Sequence, residues 1–403
     1  MADDGLASSE LCAVNTGLHA DVVAFCPWAR CVDVLACATY ELRDGVRVGR
    51  LHLYSARASA SAAGWEASES SVATTAPTLH AEAQFECAGI FDASWLPPPA
   101  GGSADGCLLA LACADGGVEC VRASRARVGG PVSLGAVTRC ALPDASGTRL
   151  FCLTADWAWA RDASAGTDGA PGGTASTGAE PRARLAACDN SGRAHIFSLD
   201  GASPELVCSW QAHSLEIWTA THQRIDGGLL LTGADDCALR GWDARAVERP
   251  AVANGKGHAM GVTSIHTDPR AEHIVLTGSY DEHVRAIDLR MAQRELCSIA
   301  LGGGVWCARW HPHVAGAIVA ACMHNGFHFA RACEGHARLE RVGACAARDV
   351  GDSLAYGADW SHEPPRGASV LGATCSFYDR TLRLWTASRA AVMDPEMRLS
   401  VRV

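Results

Sequence analysis

AHSLEIWTATHQRIDGGLLLTGADDCALRGWDAR (residues 212–245) and GHAMGVTSIHTDPRAEHIVLTGSYDEHVRAIDLR (residues 257–290) decide the fold. His213 and His258 stand 45 residues apart, as do Asp236 and Asp281, and Asp243 and Asp288. Each stretch has a His ahead of a first apolar strand, a second strand ending in Leu-Thr-Gly, a turn acid, and a third strand closing in Trp-Asp or Ile-Asp. A unit of a few short strands cannot bury both of its faces by itself, so a repeat of this length predicts like units packed side by side.

The same order of signals recurs along the chain, more loosely, over 20–54, 89–123, 150–199, 302–329 and 355–385, making seven units. The His, a hydroxyl in the second strand, the turn Asp and the Trp can form a buried hydrogen-bond chain, which is the signature of WD repeats. The expectation is an all-β, seven-bladed WD-repeat β-propeller forming one domain over 1–403. In this alignment Trp306 falls at the Val262 position, Asn325 at the Asp281 position and Trp360 at the Trp310 position, with Trp218 one residue inside its strand. The last unit stops at Trp385 after its third strand, and Leu11 to Val14 are expected to supply the fourth, since an unpaired outer strand would template aggregation. Two stretches rich in Ala, Ser, Gly and Thr, 57–84 and 161–182, read as flexible insertions because they lack the apolar pattern that would offset ordering.

Composition narrows the function classes. With 48% hydrophobic and 19% charged residues, the 403-residue chain can bury a large core. A charge of −10 with no basic cluster argues against a nucleic-acid groove. No apolar run is long enough to span a membrane, and the polar start MADDGLASSE is not a secretory signal. Nineteen cysteines occur without a single C-x-x-C pair, mostly within apolar runs, which suits reduced cysteines packed as small hydrophobes in the cytosol and not a zinc site. Neither a G-x-S-x-G elbow nor an H-E-x-x-H motif is present.

Several phrases exceed what the scaffold requires: TGLHADVVAFCPWARCVDVLACATYELR, AHSLEIWTATH, TGADDCALRGWDAR, TGSYDEHVRAIDLR, GGGVWCARWHPH, AACMHNGF and CSFYDRTLRLW. In matching order over six of the seven blades, they resemble the eukaryotic diphthine methylesterase family, WD-repeat proteins of diphthamide biosynthesis. The resemblance implies hydrolysis of the methyl ester of methylated diphthine on translation elongation factor two; cysteine usage points to the cytoplasm, and the motifs present call for no cofactor and no metal. Such a substrate carries a trimethylammonium group beside the ester, so a site must hold a quaternary cation and activate water. Aromatic faces hold such cations at about 0.5–2 kcal/mol per ring. Candidates on the rim are Trp218, Tyr280, Trp306, Tyr356, Tyr378 and Phe91, with Glu216 as a complementary charge. For water activation the candidates are His283 with Glu282, His324, and the pair His213 and Glu216. His283 and His324 occupy matching turns of neighbouring blades, whereas His213 and His258 fit blade-locking positions. Amides of the Gly302–Gly304 loop are candidates for an oxyanion hole.

A propeller fold does not by itself imply catalysis. GWDAR (241–245) also fits the W-D-x-R pattern of substrate receptors of cullin ubiquitin ligases, with Arg245 as the contact, and an aromatic cage also suits a methyl-lysine reader.

Overall fold

The computed structural model describes residues 8–58, 76–99, 107–143, 149–159, 182–199, 204–223, 228–345, 351–365 and 367–393. They form seven four-stranded antiparallel sheets, each running inner to outer in chain order except the last. The inner strands are His19–Phe25, Ile90–Trp95, Cys152–Trp159, Ile217–His222, Val262–Asp268, Cys307–Trp310 and Ala355–Trp360, one for each of blades 1 to 7. Second strands such as Ala317–Ala321 are buried throughout, because neighbouring blades cover both faces of the sheet. The blades therefore share cores: Leu276 and Val284 of blade 5 pack with Trp310 and Ile318 of blade 6.

Blade 7 is completed from the other end of the chain. Ser8–Asn15 pairs antiparallel with Thr381–Ser388, Val14 opposite Leu382 and Ala13 opposite Arg383, so the expected closing strand is present. The expected locking chain is also present in blade 4. Trp242 Nε1 donates to Thr232 Oγ1 (2.9 Å), that hydroxyl meets His213 Nε2 (2.8 Å), and His213 Nδ1 meets Asp236 Oδ1 (2.9 Å). In blade 5 His258 Nε2 meets Thr277 Oγ1 at 2.9 Å. No disulfide joins any of the nineteen cysteines, and most are buried.

Two sequence expectations need correction. Of the stretch 57–84, Arg57 and Ala58 end the third strand of blade 1, and residues 77–84 belong to its outer strand, Pro77–Ala88. That strand is half exposed and sits at the ring's outer edge, so it needs little apolar patterning. Residues 59–75 and 161–181 lie outside the described residues. The alignment of blade 6 slips by one: fully buried Val305, not Trp306, matches fully buried Val262, which puts Trp306 level with Thr263 and Trp218.

This slip exposes a regularity that organises the site. In six blades the pairing of inner and second strand breaks by one residue near the strand start, and the residue skipped is Asp21, Phe91, Leu153, Trp218, Thr263 or Tyr356. Such a bulge re-aims its side chain. Blade 6 has Trp306 at the equivalent place, its N–H on Ala321 O at 2.9 Å just before the inner strand. The seven positions form one layer around the central opening.

Candidate functional site

All seven residues of this layer line a cavity of about 560 Å³ in the middle of the ring. Its mouth is aromatic over most of its circumference. Trp218, Tyr280 and Trp306 form a triangle, with ring centres 6.4, 5.9 and 6.1 Å apart. Trp306 stacks on Tyr356 at 4.8 Å, and Tyr356 leads through Phe377 (5.1 Å) to Tyr40 (5.0 Å), Phe91 (5.1 Å) and Phe151 (6.0 Å). Burial, and then the charge of Asp235, push the Tyr280 phenol up to about 12, so it stays neutral and presents its face and O–H.

Beneath and between the rings the cavity wall is acidic: Asp21, Asp92, Asp156, Glu216 and Asp359, against Arg47 and Arg309. Three of the five acids are occupied in holding blades together. Asp92 accepts from Thr154 Oγ1 (2.7 Å) and Ala155 N (3.2 Å), tying blade 2 to blade 3. Asp156 accepts from Ser94 Oγ (2.9 Å) and His222 N (2.7 Å), bridging blades 2, 3 and 4. Asp359 accepts from Phe25 N (2.8 Å), tying blade 7 to blade 1. Burial works against the charge of Arg309, but Cys307, Asp359, Asp92 and Asp156 outweigh it and hold the guanidinium charged.

The sequence candidates divide cleanly by radius. Glu216, Trp218, Tyr280, Trp306, Tyr356 and Phe91 line the cavity. Tyr378 stands outside the lining, 58% exposed, with its ring against Phe377 and His19. His283, Glu282 and His324 are not among the lining residues. His283 lies at the start of a third strand with Nδ1 on Asp281 O at 2.7 Å, and Glu282 and His324 are exposed turn residues. The turn into a third strand lies farther from the ring axis than the inner strand, so matching turns bring these groups to one end of the molecule but not to the opening. His213 is engaged in its blade lock. Gly302–Gly304 are also absent from the lining; Gly303 sits so close to Cys322 O that a Cβ there would lie 2.3 Å from it, which packs the loop against the neighbouring turn. Arg245 is 83% exposed in its side chain and pairs with Asp243 (2.7 Å), as Arg290 does with Asp288 (2.6 Å) in the next blade.

Asp21, Asp92, Arg309, Tyr40 and Phe377 were not singled out from sequence. For Asp21 a signal existed: once Trp218, Trp306, Tyr356 and Phe91 are put in one column, blade 1 contributes the acid of HADVVAF to it.

No protein-family profile matches the chain. Among solved structures the chain is similar to one in the Crystal Structure of Mitotic Checkpoint Complex (TM-score 0.60, 15% identity, 96% of this chain and 94% of that one). It is also similar to Sqt1 from Chaetomium thermophilum (TM-score 0.56, 15% identity, 92% and 83%). At such identity these likenesses concern the fold alone. Curated relatives are much nearer in sequence. The diphthine methyltransferase of Mus musculus is 33% identical over 368 residues, covering 87% of this chain and 69% of that protein. That of Homo sapiens is 32% identical over 372 residues, covering 86% and 74%. The relative of that name in Saccharomyces cerevisiae is 30% identical over 199 residues, covering 43% and 49%. With about a third of the aligned residues identical over most of both chains, this seven-bladed propeller belongs to the diphthine methyltransferase family.

Proposed function

We propose that this protein acts in diphthamide formation by hydrolysing the methyl ester of methylated diphthine on translation elongation factor two, leaving diphthine for amidation. The observation that carries this reading is the mouth of the cavity, where Trp218, Tyr280 and Trp306 meet within 6.4 Å of one another beside Glu216. A quaternary ammonium has no N–H to donate, so it is held by ring faces and by charge, which is what this corner offers. The ester of the same side chain then sits inside a cavity walled by acids and Arg309, where a carboxylate can take a proton from water and a guanidinium can face the developing oxyanion.

The relatives' name speaks of methyl transfer, and the test separates the two directions. Elongation factor bearing methylated diphthine is incubated with the protein and analysed by mass spectrometry. Loss of one methylene's mass from the modified histidine, with one methanol released, is the expected result. An unchanged mass, or a gain of one methyl by the unmethylated protein when a methyl donor is supplied, would end the hydrolase reading. Nothing comparable supports an adaptor role through Arg245, since its pairing with Asp243 recurs in the next blade as a feature of strand ends.

A further inference from the structure

Asp21 is the exception in the cavity. It occupies in blade 1 the bulge position that blades 2, 4, 6 and 7 fill with Phe91, Trp218, Trp306 and Tyr356. It is only 2% exposed, yet its Oδ1 has no hydrogen-bond partner. Leaving a buried carboxylate oxygen unpaired costs about 1–3 kcal/mol or more, so a residue kept that way without a structural duty calls for a chemical one. The other inner-strand acids each clamp one blade to the next; Asp21 clamps nothing.

We propose that Asp21 is the general base of the cavity, taking the proton of the water that attacks the substrate's ester carbonyl. This rests on the hydrolase reading above and assigns its catalytic group. The carboxylate removes one proton as the water oxygen bonds to the carbonyl carbon. The resulting tetrahedral oxyanion reforms its C=O, the bond to the methoxy oxygen breaks, and Asp21 returns the proton to the departing methoxide. One water is consumed and one methanol leaves; the new carboxylic acid gives its proton to solvent. The cation corner of Trp218, Tyr280, Trp306 and Glu216 belongs to blades 4 to 6, and blade 7 stands between it and Asp21 of blade 1, so Asp21 and the ammonium do not compete for one place.

The surroundings set the direction of its titration. Acting on Asp21, or acted on by it, are Asp92 from the inner strand of blade 2, Tyr40 from the second strand of its own blade, Tyr356 from the inner strand of blade 7, Cys375 from that blade's second strand, and Tyr280 across the mouth. The third strand of blade 7 meets this region with Leu382 and Leu384. Gly357 lets blade 7 approach closely: a Cβ there would lie 2.8 Å from Val23 N and 3.2 Å from Asp21 O. Burial first, and then Asp92, raise its carboxyl well above the ordinary value. A base so placed is active in its deprotonated form, so turnover rises with pH through that raised value.

The test compares wild type, Asp21→Asn and Asp21→Ala in hydrolysis of the methylated diphthine of the elongation factor, from about pH 5 to about pH 9. Binding of tetramethylammonium, read by tryptophan fluorescence, is followed in parallel. Asp21→Asn is expected to lower kcat by about 10²–10⁴-fold, to leave KM and tetramethylammonium binding within about threefold, and to lose the rising limb of the pH profile. Added formate is expected to restore part of the rate to Asp21→Ala, which keeps the proposal testable if the Asn variant folds poorly. An Asn variant with wild-type kcat, or an Ala variant that formate leaves inactive, would overturn the role of Asp21 while wild-type turnover still upheld the hydrolase reading. A wild type that binds tetramethylammonium but releases no methanol would overturn both.

Discussion

At the scale of single residues, position relative to the ring axis separates groups that the repeat alignment treats alike. Trp306 and His283 both belong to phrases that exceed scaffold needs, but only Trp306 reaches the opening, stacked on Tyr356 at 4.8 Å. Trp306→Ala removes one face of the cation corner, about 1–2 kcal/mol of binding. KM for the methylated substrate is therefore expected to rise roughly 5–30-fold, with kcat changed far less. His283→Ala and His324→Ala touch exposed turns outside the lining, so both are expected to keep kcat and KM within a factor of about two. Steady-state kinetics on the three variants check this, and a large loss of kcat in either His variant would return the chemistry to the turns. The blade locks were legible as residues because His213, Thr232 and Asp236 recur at a fixed offset as His258, Thr277 and Asp281, with Ile287 in the place of Trp242, and serve the scaffold. Asp21 was not, because a single carboxylate in an inner strand looks like any polar interruption until the bulges align it with four aromatic residues.

At the scale of the strand, what the sequence leaves ambiguous is the edge. Inner and second strands announce themselves by dense apolar patterning, as in Cys107–Cys113, because they are covered on both faces. Pro77–Ala88 pairs along one edge only, is half exposed and alternates weakly, so it passed for an insertion. The closing strand Ser8–Asn15 shares that weakness of pattern, and only the missing fourth strand of blade 7 pointed to it. Its importance follows from geometry: without it Thr381–Ser388 becomes an open edge beside the seam between the first and last blades. Removing residues 1–18 is expected to yield protein that elutes as aggregate in size-exclusion chromatography and lacks a cooperative thermal transition. A monomeric truncation melting like the full chain would show that the ring closes without this strand.

At the scale of the molecule, shared cores make the ring respond as one unit, so buried ionisable groups in different blades act on a common stability. Burial, and then the charge of Arg285, lower His258 to about 4; burial, then His313 and Arg270, lower His311 to about 3. Both stay neutral in the fold while their unfolded counterparts titrate near 6.5, so the unfolded chain binds more protons below that pH. Their effect is nil above about pH 6.5 and grows as pH falls, reaching about 2 kcal/mol each near pH 5. Asp21 and Asp92 have the opposite sign. Their carboxyls are raised by burial, so the folded state holds their protons more tightly, and the penalty of their charge fades as pH falls through the raised values. In wild type the carboxyl relief thus offsets part of the histidine cost as pH falls. Asp21→Asn removes the buried charge and Asp21's part of that relief. Its Tm is expected to exceed that of wild type at pH 7, and to fall more steeply between pH 7 and pH 5 until the curves converge. Thermal melts of both proteins across that range decide it: parallel curves would mean that Asp21 carries no more proton affinity in the fold than in the unfolded chain, and would remove the physical ground for treating it as a poised base.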